Sequence, residues 1–334
     1  MKIAQTTERW ILIGTVVLLI TAVSLGSLLA GRVWLPPKEI WNALSAPDQN
    51  LASQIIWQLR LPRLILALAV GAALGLSGAV LQGVTRNPLA EPGLLGVSAG
   101  AALGAVVAIY FGFAGRILSA APVFGLVGAL LASILTLMLG RGGGTITLIL
   151  AGSAVTAFAG AGISLALNLS PNPYAAYEIM TWLMGSLADR TWIHVGLVAP
   201  FLIVGAVLLL LTARALDALS LGEAQAQSLG INLRSLYLLS VFGTAFAVGA
   251  STAVTGAIGF VGLIAPHLVR PLVGHQPSRV LIPAALTGAL LLLGADIATR
   301  LIRFGPEMKL GVFTSLLGTP FFFWLVVRLR KAAP

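Results

Sequence analysis

Apolar runs long enough to cross a lipid bilayer recur along nearly the whole chain, separated by short turns rich in glycine, proline and charge. A spanning helix needs about 20 apolar residues, because the hydrocarbon layer is roughly 30 Å thick and a helix rises about 1.5 Å per residue. This criterion predicts about ten spans, centred near Leu19, Gly75, Gly104, Leu130, Thr156, Ile203, Ala245, Leu263, Leu290 and Phe321. We therefore expect an all-α polytopic membrane protein.

The composition supports the same class. Of the 334 residues, 58% are hydrophobic and 9% are charged, whereas about 25% are charged in soluble domains. We expect residues 1–334 to form one transmembrane domain. The net charge of +10 lies at span ends rather than on one face, so it does not indicate nucleic-acid binding. The absence of cysteine excludes disulfides and thiolate metal sites, and three histidines are too few to predict a metal pathway.

The longest polar stretch inside this apolar pattern runs from Asp217 to Gly230. Ser220 and Glu223 have the S-x-x-E spacing of a capping box, and Gly230 stands where a left-handed helix stop belongs. The pattern predicts a short helix, roughly 221–229, outside the bilayer. Because so short a helix is marginal alone, it is either a connector resting on its own membrane domain or a docking helix for a partner.

Positive charge gives a weak prediction of orientation. Arg214 and Arg234 flank the polar stretch, which favours the cytoplasmic side for it, and with ten spans both termini would be cytoplasmic. Four arginines, at positions 60, 63, 300 and 303, then fall at the outer ends of the second and ninth spans. They would either contact lipid phosphates or form a basic rim that receives an acidic protein.

No catalytic constellation is visible in the sequence. None of the four lysines follows a glycine, so the G-K-[ST] ending of a phosphate-binding loop does not occur. We expect no catalytic residue and no cofactor on this chain. Asp296 is the one acidic candidate inside a span, and Arg300 follows it by four residues. That spacing favours a local ion pair over a proton relay, which a stand-alone proton-coupled carrier would need.

Several blocks of the sequence resemble one family. They are Arg60-Leu-Pro-Arg63, Ser77-Gly-Ala-Val-Leu-Gln82, the stretch from Asn87 to Ser98, the stretch from Leu219 to Gly230, the stretch from Gly256 to His267, Asp296, and the stretch from Gly311 to Pro320. In this order they resemble the FecCD-type permeases of bacterial ABC importers, which move ferric siderophores, haem or cobalamin. The resemblance runs from about the second span to the C-terminus.

The resemblance implies the architecture of an ABC type II importer permease, with two inverted five-helix halves in the bacterial inner membrane. It also implies the partners: a second permease subunit in a homodimer, two cytoplasmic ATPase subunits that hold ATP and Mg, and one periplasmic binding protein. The cargo expected first is a ferric siderophore, with haem or cobalamin as the alternative. A proton-coupled carrier working alone and a scaffold or channel without cargo are different classes that remain open.

Residue roles follow from the resemblance position by position. The segment 215–231 would couple to the ATPase, and the two turns near residues 88 and 145 would form a cytoplasmic gate. The implied coupling residues are Ser220, Leu221, Gly222, Glu223, Ala224, Gln225, Leu229 and Gly230; the implied gate residues are Asn87, Pro88, Leu89 and Thr145; and the implied docking residues, facing glutamates of the binding protein, are Arg60, Arg63 and Arg300. Lys309 departs from the family, where many relatives have proline.

Overall fold

The chain folds into helices joined by short turns. The computed structural model describes residues 2–31, 34–45, 50–302 and 308–332, and no strand occurs in these ranges. The helices are α1 (Lys2–Leu29), α2 (Pro37–Ser45), α3 (Leu51–Thr85), α4 (Val97–Tyr110), α5 (Ala120–Leu139), α6 (Gly144–Asn168), α7 (Pro173–Leu183), α8 (Trp192–Leu211), α9 (Ala213–Leu219), α10 (Glu223–Ser228), α11 (Leu233–Thr255), α12 (Val261–Val273), α13 (Pro277–Leu301) and α14 (Leu310–Ala332).

Each of the ten predicted span centres falls inside one of these helices. Within the described ranges, eight helices are long and apolar enough to cross a membrane, and the other two of the ten, α4 and α12, have 14 and 13 residues. A helix of that length covers only about 20 Å. The 3₁₀ turn Pro92–Leu95 leads into α4, and the non-helical stretch 256–260 leads into α12. Such irregular backbone is tolerated at membrane depth only where protein buries it.

The helix order has a repeat of five. The two short apolar helices, α4 and α12, are the third and the eighth of the ten. The long helices before them are α3 and α11. In each of these two, 78% of the residues in an apolar 18-residue window are buried, the highest share among the long helices of the described chain. Because five is odd, a second set of five crossing helices starts on the opposite side of the membrane from the first. This order agrees with two inverted five-helix halves.

Helices α3 and α13 form the central pair, and their backbones are in close contact. A Cβ on Gly71 would overlap the carbonyl oxygen of Gly288, and a Cβ on Gly75 would overlap that of Ala284. Small residues at such contacts let helix backbones approach in lipid, where van der Waals packing drives association. The pair is antiparallel, since Arg63 near the start of α3 meets Asp296 near the end of α13.

This pair defines the two ends of the molecule. The Asp296 end contains Arg63 and Asp296, and the Glu223 end contains the last turn of α3, the first turn of α13 and the segment 215–231. From Ser278 to Asp296 the rise of α13 amounts to roughly 27 Å, close to the thickness of the hydrocarbon layer.

Candidate functional site

The segment 215–231 is mounted firmly on the membrane domain. Leu216 and Leu219 of α9 are fully buried. The Asp217 carboxylate accepts hydrogen bonds from the Ser278 backbone N–H (2.9 Å), the Ser278 hydroxyl (2.7 Å) and the Gln276 side-chain amide (2.6 Å). A carboxylate is favourable there, because the first N–H groups of a helix have no partner within the helix. The segment is therefore tied to the start of α13.

The capping box predicted for Ser220 and Glu223 is wrong. The Ser220 hydroxyl donates to the carbonyl of Asp217 (2.6 Å), because Ser220 belongs to the end of α9. Gly222 precedes α10 instead, with φ +113°, and its carbonyl accepts from Ala226 N–H (2.9 Å). That backbone conformation is essentially restricted to glycine. The helix consequently begins at Glu223, two residues later than predicted.

The predicted stop at Gly230 is confirmed. Gly230 has φ +82°, and the N–H of Ile231 donates to the carbonyl of Ala226 at 3.0 Å. This pattern is a left-handed helix stop, in which a residue beyond the helix satisfies a carbonyl that the helix leaves free.

The Glu223 carboxylate faces into the protein. Its Oε1 atom accepts from the Thr145 hydroxyl (3.0 Å) and from the Tyr237 hydroxyl (3.2 Å), and those two hydroxyl oxygens are 3.1 Å apart. We call these three residues the Glu223 triad. It joins α10 to the first turn of α6 and to α11, so a residue implied to couple and a residue implied to gate are hydrogen-bonded directly. Tyr237 was missed by sequence reasoning, because no local pattern relates it to Thr145.

The outer face of the same segment is apolar in part. Leu221 and Leu229 are each 63% exposed, and Ala224 and Gln225 are also exposed, whereas Ala226 is fully buried. Leu221 and Leu229 lie between spans rather than within one. Both leucines are therefore accessible to another molecule that packs on this face of the segment.

The first turn implied to gate, 87–89, follows the end of α3. Arg86 ends that helix with φ +51°, and the Asn87 side-chain oxygen accepts from Leu89 N–H at 2.9 Å. The buried Gln82 side chain donates to the carbonyls of Ala90 and Leu263, both at 3.3 Å. The turn is thereby held against α12.

Arg270 and Glu91 strengthen this attachment. The Arg270 guanidinium donates to the side-chain oxygen of Gln82. The Glu91 carboxylate accepts from the backbone N–H of Phe260, the residue before α12; burial raises the pKa of Glu91, and that hydrogen bond opposes the rise. Neither Arg270 nor Glu91 was assigned a role from the sequence.

Both turns implied to gate lie near the segment 215–231. In the described chain no hydrogen bond joins residues 87–89 directly to Thr145. Thr145 bonds to Glu223, and the Arg86 guanidinium lies 4.0 Å from the position that a Cβ on Gly222 would occupy. A displacement of α10 would therefore act directly on Thr145, whereas the turn 87–89 approaches the segment 215–231 only through the neighbouring Arg86.

At the opposite end, the implied docking arginines surround one carboxylate. Asp296 is fully buried and pairs with Arg63 (2.9 Å) and Arg300 (2.9 Å). The predicted local pair of Asp296 and Arg300 is confirmed. Arg63, 233 residues away in sequence, was not predicted to join it. We call Asp296 and its arginines the Asp296 cluster.

The same arginines hold the end of α1. Arg300 donates to the carbonyls of Ser27 and Ala30, both at 3.1 Å, and Arg60 donates to the carbonyls of Leu28 and Leu29. Arg60 is 7% exposed, and the side chains of Arg63 and Arg300 are 14% and 7% exposed. Any partner that reaches these guanidinium groups must compete with internal acceptors. Arg303 lies outside the described residues.

A cavity of about 730 Å³ lies between α7, the stretch before α12, and α14. Every residue in its wall is uncharged: Leu183, Met184, Ala257, Gly259, Gly311, Val312, Ser315, Leu316, Thr319 and Pro320. Within the described ranges, no group of three or more His, Asp or Glu side chains is placed to hold a metal ion. This open cavity offers a bulky molecule an uncharged wall without carboxylate or imidazole side chains.

Comparison with known proteins gives one consistent result. The model of the FecCD transport family matches residues 17–328. The chain is 38% identical to the hemin transport system permease protein HmuU of Yersinia pestis, with 96% of each chain covered. It is 41% identical to the vitamin B12 import system permease protein BtuC of Klebsiella pneumoniae, with 98% of this chain and 96% of the relative covered.

Solved structures agree. One, described as an inward-facing conformation of an ABC transporter assigned to the metal-chelate type, superimposes with a TM-score of 0.85 at 34% identity, covering 95% of this chain and 99% of that one. PsaBC from Streptococcus pneumoniae, solved with a Fab, matches with a TM-score of 0.52 at 16% identity over 85% of this chain and 94% of that one, which shows the fold alone.

Proposed function

The chain belongs to the FecCD transport family as a permease subunit of an ABC importer, and we propose that it carries a ferric siderophore across the bacterial inner membrane. The energy comes from ATP hydrolysis on a separate subunit. The observation that carries the coupling step is the rigidly mounted α10 segment with Leu221 and Leu229 exposed on its outer face.

The segment has the properties of a mechanical contact. Asp217 fixes its base to α13, Ala226 is buried beneath it, and the Glu223 triad ties it to α6 and α11. The two leucines supply apolar area that a cleft on the ATPase can bury, at about 1.5–3 kcal/mol for each fully buried side chain. Force on this surface would reach both gate turns.

ATP and Mg belong to the ATPase partner in this proposal. Moving a two-state transporter from 1:99 to 99:1 takes about 5.5 kcal/mol of differential binding. The permease needs only two packings of its helices and a surface through which the ATPase can favour one of them.

The uncharged cavity suits a cargo that arrives already chelated. A naked metal ion would require carboxylate, imidazole or thiolate ligands, and the wall between α7 and α14 supplies none of them. A ferric siderophore fits this requirement. Haem or cobalamin is the second candidate, and the names of the relatives in Yersinia pestis and Klebsiella pneumoniae favour it.

The complete importer would contain two copies of this chain, two ATPase subunits and one binding protein, with both termini of each permease in the cytoplasm. Docking of the binding protein would bring its glutamates to Arg60, Arg63 and Arg300. Because Asp296 and the carbonyls of α1 already occupy these arginines, docking would exchange internal partners for external ones. Such an exchange suits weak, reversible delivery.

The test is uptake by proteoliposomes that contain the permease, the ATPase and the loaded binding protein. We expect uptake of radiolabelled ferric siderophore with ATP and none with a non-hydrolysable analogue. Parallel assays with haem and cobalamin decide the cargo. ATP-dependent uptake of haem or cobalamin alone would contradict a siderophore as the cargo but would leave the proposal of an ABC importer intact. Uptake without the ATPase would contradict the importer and favour a carrier that works alone.

The coupling surface has its own variant, Leu221→Asp combined with Leu229→Asp. We expect it to lose ATPase co-purification and uptake while it still folds. Leu118→Asp is the matched control, because Leu118 is also 63% exposed and lies in a turn before α5 at the Asp296 end. Equal retention of the ATPase by the double variant and the control would count against coupling through α10.

A further inference from the structure

A second cavity, of about 680 Å³, opens at the Glu223 end, away from the cavity proposed for the cargo. Its walls are the end of α5, the turn into α6, part of α10 and the first half of α11. These elements begin or end at the same level, because the α5–α6 turn and the start of α11 both adjoin span ends. The cavity therefore lies at the boundary between lipid and water.

Two arginines line this cavity at that boundary. Arg141 lies in the turn after α5, separated from it by Gly140, Arg234 lies in the first turn of α11, and both are exposed. Within the described part of the chain, neither has a carboxylate within ion-pair distance. The Glu223 carboxylate also lines the cavity, but its Oε1 already accepts from Thr145 and Tyr237. Positive charge is thus in excess at the mouth.

The deeper wall is apolar and continues from each arginine along its helix. On α11, Leu238 and Phe242 follow Arg234 at intervals of four, and Met138 and Ile134 precede Arg141 by three and seven positions. Residues at these spacings share one helix face. From Arg234 to Phe242 the stripe extends roughly 12 Å along the axis, less than the roughly 15 Å of hydrocarbon in one leaflet. Met138 and Leu238 are exposed.

We propose that this cavity binds an anionic phospholipid, with the phosphate between Arg141 and Arg234 and one acyl chain along Met138 and Leu238. Positive charge at the interface with an apolar groove below it matches the two chemical parts of such a lipid. Free phosphate would leave the apolar stripe uncovered, and a soluble protein cannot reach side chains at the depth of Phe242.

The position of the site places the lipid against residues proposed to couple and to gate. The cavity wall includes Gly144, next to Thr145, and Glu223. A lipid bound there bridges the α5–α6 turn and α11 and packs against the Glu223 triad. The lipid is in this way a third component of the connection between α10 and the second gate turn.

The experiment measures lipid binding to the purified full-length permease in detergent by native mass spectrometry. The probes are palmitoyl-oleoyl phosphatidylglycerol and palmitoyl-oleoyl phosphatidylcholine, which differ in headgroup charge but carry the same acyl chains. We expect tighter binding of the anionic lipid, and about fivefold weaker binding of it in Arg141→Gln and in Arg234→Gln. Arg214→Gln is the matched control, because Arg214 is exposed at the same end but does not line the cavity.

Two further arms identify the occupant. Met138→Trp, which fills the apolar part, should weaken binding of the anionic lipid, and added inorganic phosphate should not displace it. Equal affinity for the two lipids, or equal loss in Arg214→Gln, would overturn the site. Displacement of the lipid by inorganic phosphate would mean that Arg141 and Arg234 bind a free anion rather than a lipid headgroup. A photoreactive group at Met138 should crosslink to lipid in the assembled importer. Crosslinking only to the ATPase would mean that the ATPase, and not a lipid, covers this cavity.

Discussion

The Asp296 end and the Glu223 end of the molecule both turn a carboxylate inward, but they differ in whether the residues implied to meet a partner are exposed. At both ends a carboxylate is turned inward and bonded by side-chain donors: Asp296 by Arg63 of α3 and by Arg300 of its own helix, and Glu223 by hydroxyls of α6 and α11. At the Glu223 end, large apolar side chains remain outside, at Leu221 and Leu229. At the Asp296 end, the residues implied to meet a partner are themselves buried or nearly so.

This difference separates two kinds of docking surface. The leucines at the Glu223 end are available without any rearrangement, so a partner there can bind a surface that already exists. The arginines at the Asp296 end hold α1 against α3 and α13, so a partner there must first displace internal bonds. The first arrangement suits a permanent subunit, and the second suits a protein that arrives, delivers and leaves.

The largest effect should follow from Asp296→Ala. The change leaves Arg63 and Arg300 facing each other without the carboxylate that pairs with both, and breaking a buried ion pair costs about 3–5 kcal/mol. Denaturant unfolding in mixed micelles measures the loss of unfolding free energy. Glu178→Ala, at an exposed glutamate of α7, should change it by less than about 0.5 kcal/mol. Equal, small losses in both variants would mean that the Asp296 cluster does not hold the helices together.

An intermediate effect is expected from the Glu223 triad. Thr145→Val and Tyr237→Phe each remove one donor to the Glu223 carboxylate, and hydrogen bonds to charged groups contribute about 1.5–3 kcal/mol. Because the hydroxyls share one acceptor, the double variant should deviate from the sum of the single ones. Tyr177→Phe, at an exposed tyrosine, is the control. Strict additivity would show that the three groups do not act as a unit.

The start of α10 gives a prediction that separates two descriptions of this segment. Gly222→Ala should cost about 1–3 kcal/mol, since φ +113° is strained for any residue with a Cβ. Ser220→Ala should change the unfolding free energy by less than about 0.5 kcal/mol, because its hydroxyl is exposed and caps nothing in α10. A larger loss of unfolding free energy for Ser220→Ala than for Gly222→Ala would show that Ser220 caps α10 after all.

The smallest effect on stability should come from the exposed leucines. Leu221→Ser and Leu229→Ser should each change the unfolding free energy of the isolated permease by less than about 0.5 kcal/mol, because neither side chain is packed. Retention of the ATPase should nevertheless fall. A stability loss comparable to that of Thr145→Val would show that the leucines support the fold, and the contrast between the two ends would disappear.

Features that depend on neighbouring residues were predictable. The positions of the spans follow from apolar length, the stop at Gly230 from local backbone preference, and the pair of Asp296 with Arg300 from helical spacing. The capping box failed although its spacing was right, because the sequence does not say where α9 ends. The glycine at 222 was the signal that could have corrected it. The two short helices, α4 and α12, were indistinguishable from full spans, since hydropathy does not report where a buried turn interrupts a run.

The sequence by itself determined that this chain is a helical membrane protein, where its ten apolar helices are centred, and which family it belongs to, because these depend on composition and on short-range order. Only the tertiary structure decided which charges meet. Arg63 and Asp296 are separated by 233 residues, Thr145 and Glu223 by 78, and Asp217 and Ser278 by 61. Each contact requires two helices to pack at one particular level and rotation. That relation is set by close backbone approach, as at Gly71 and Gly288, and it leaves no periodic trace in the sequence.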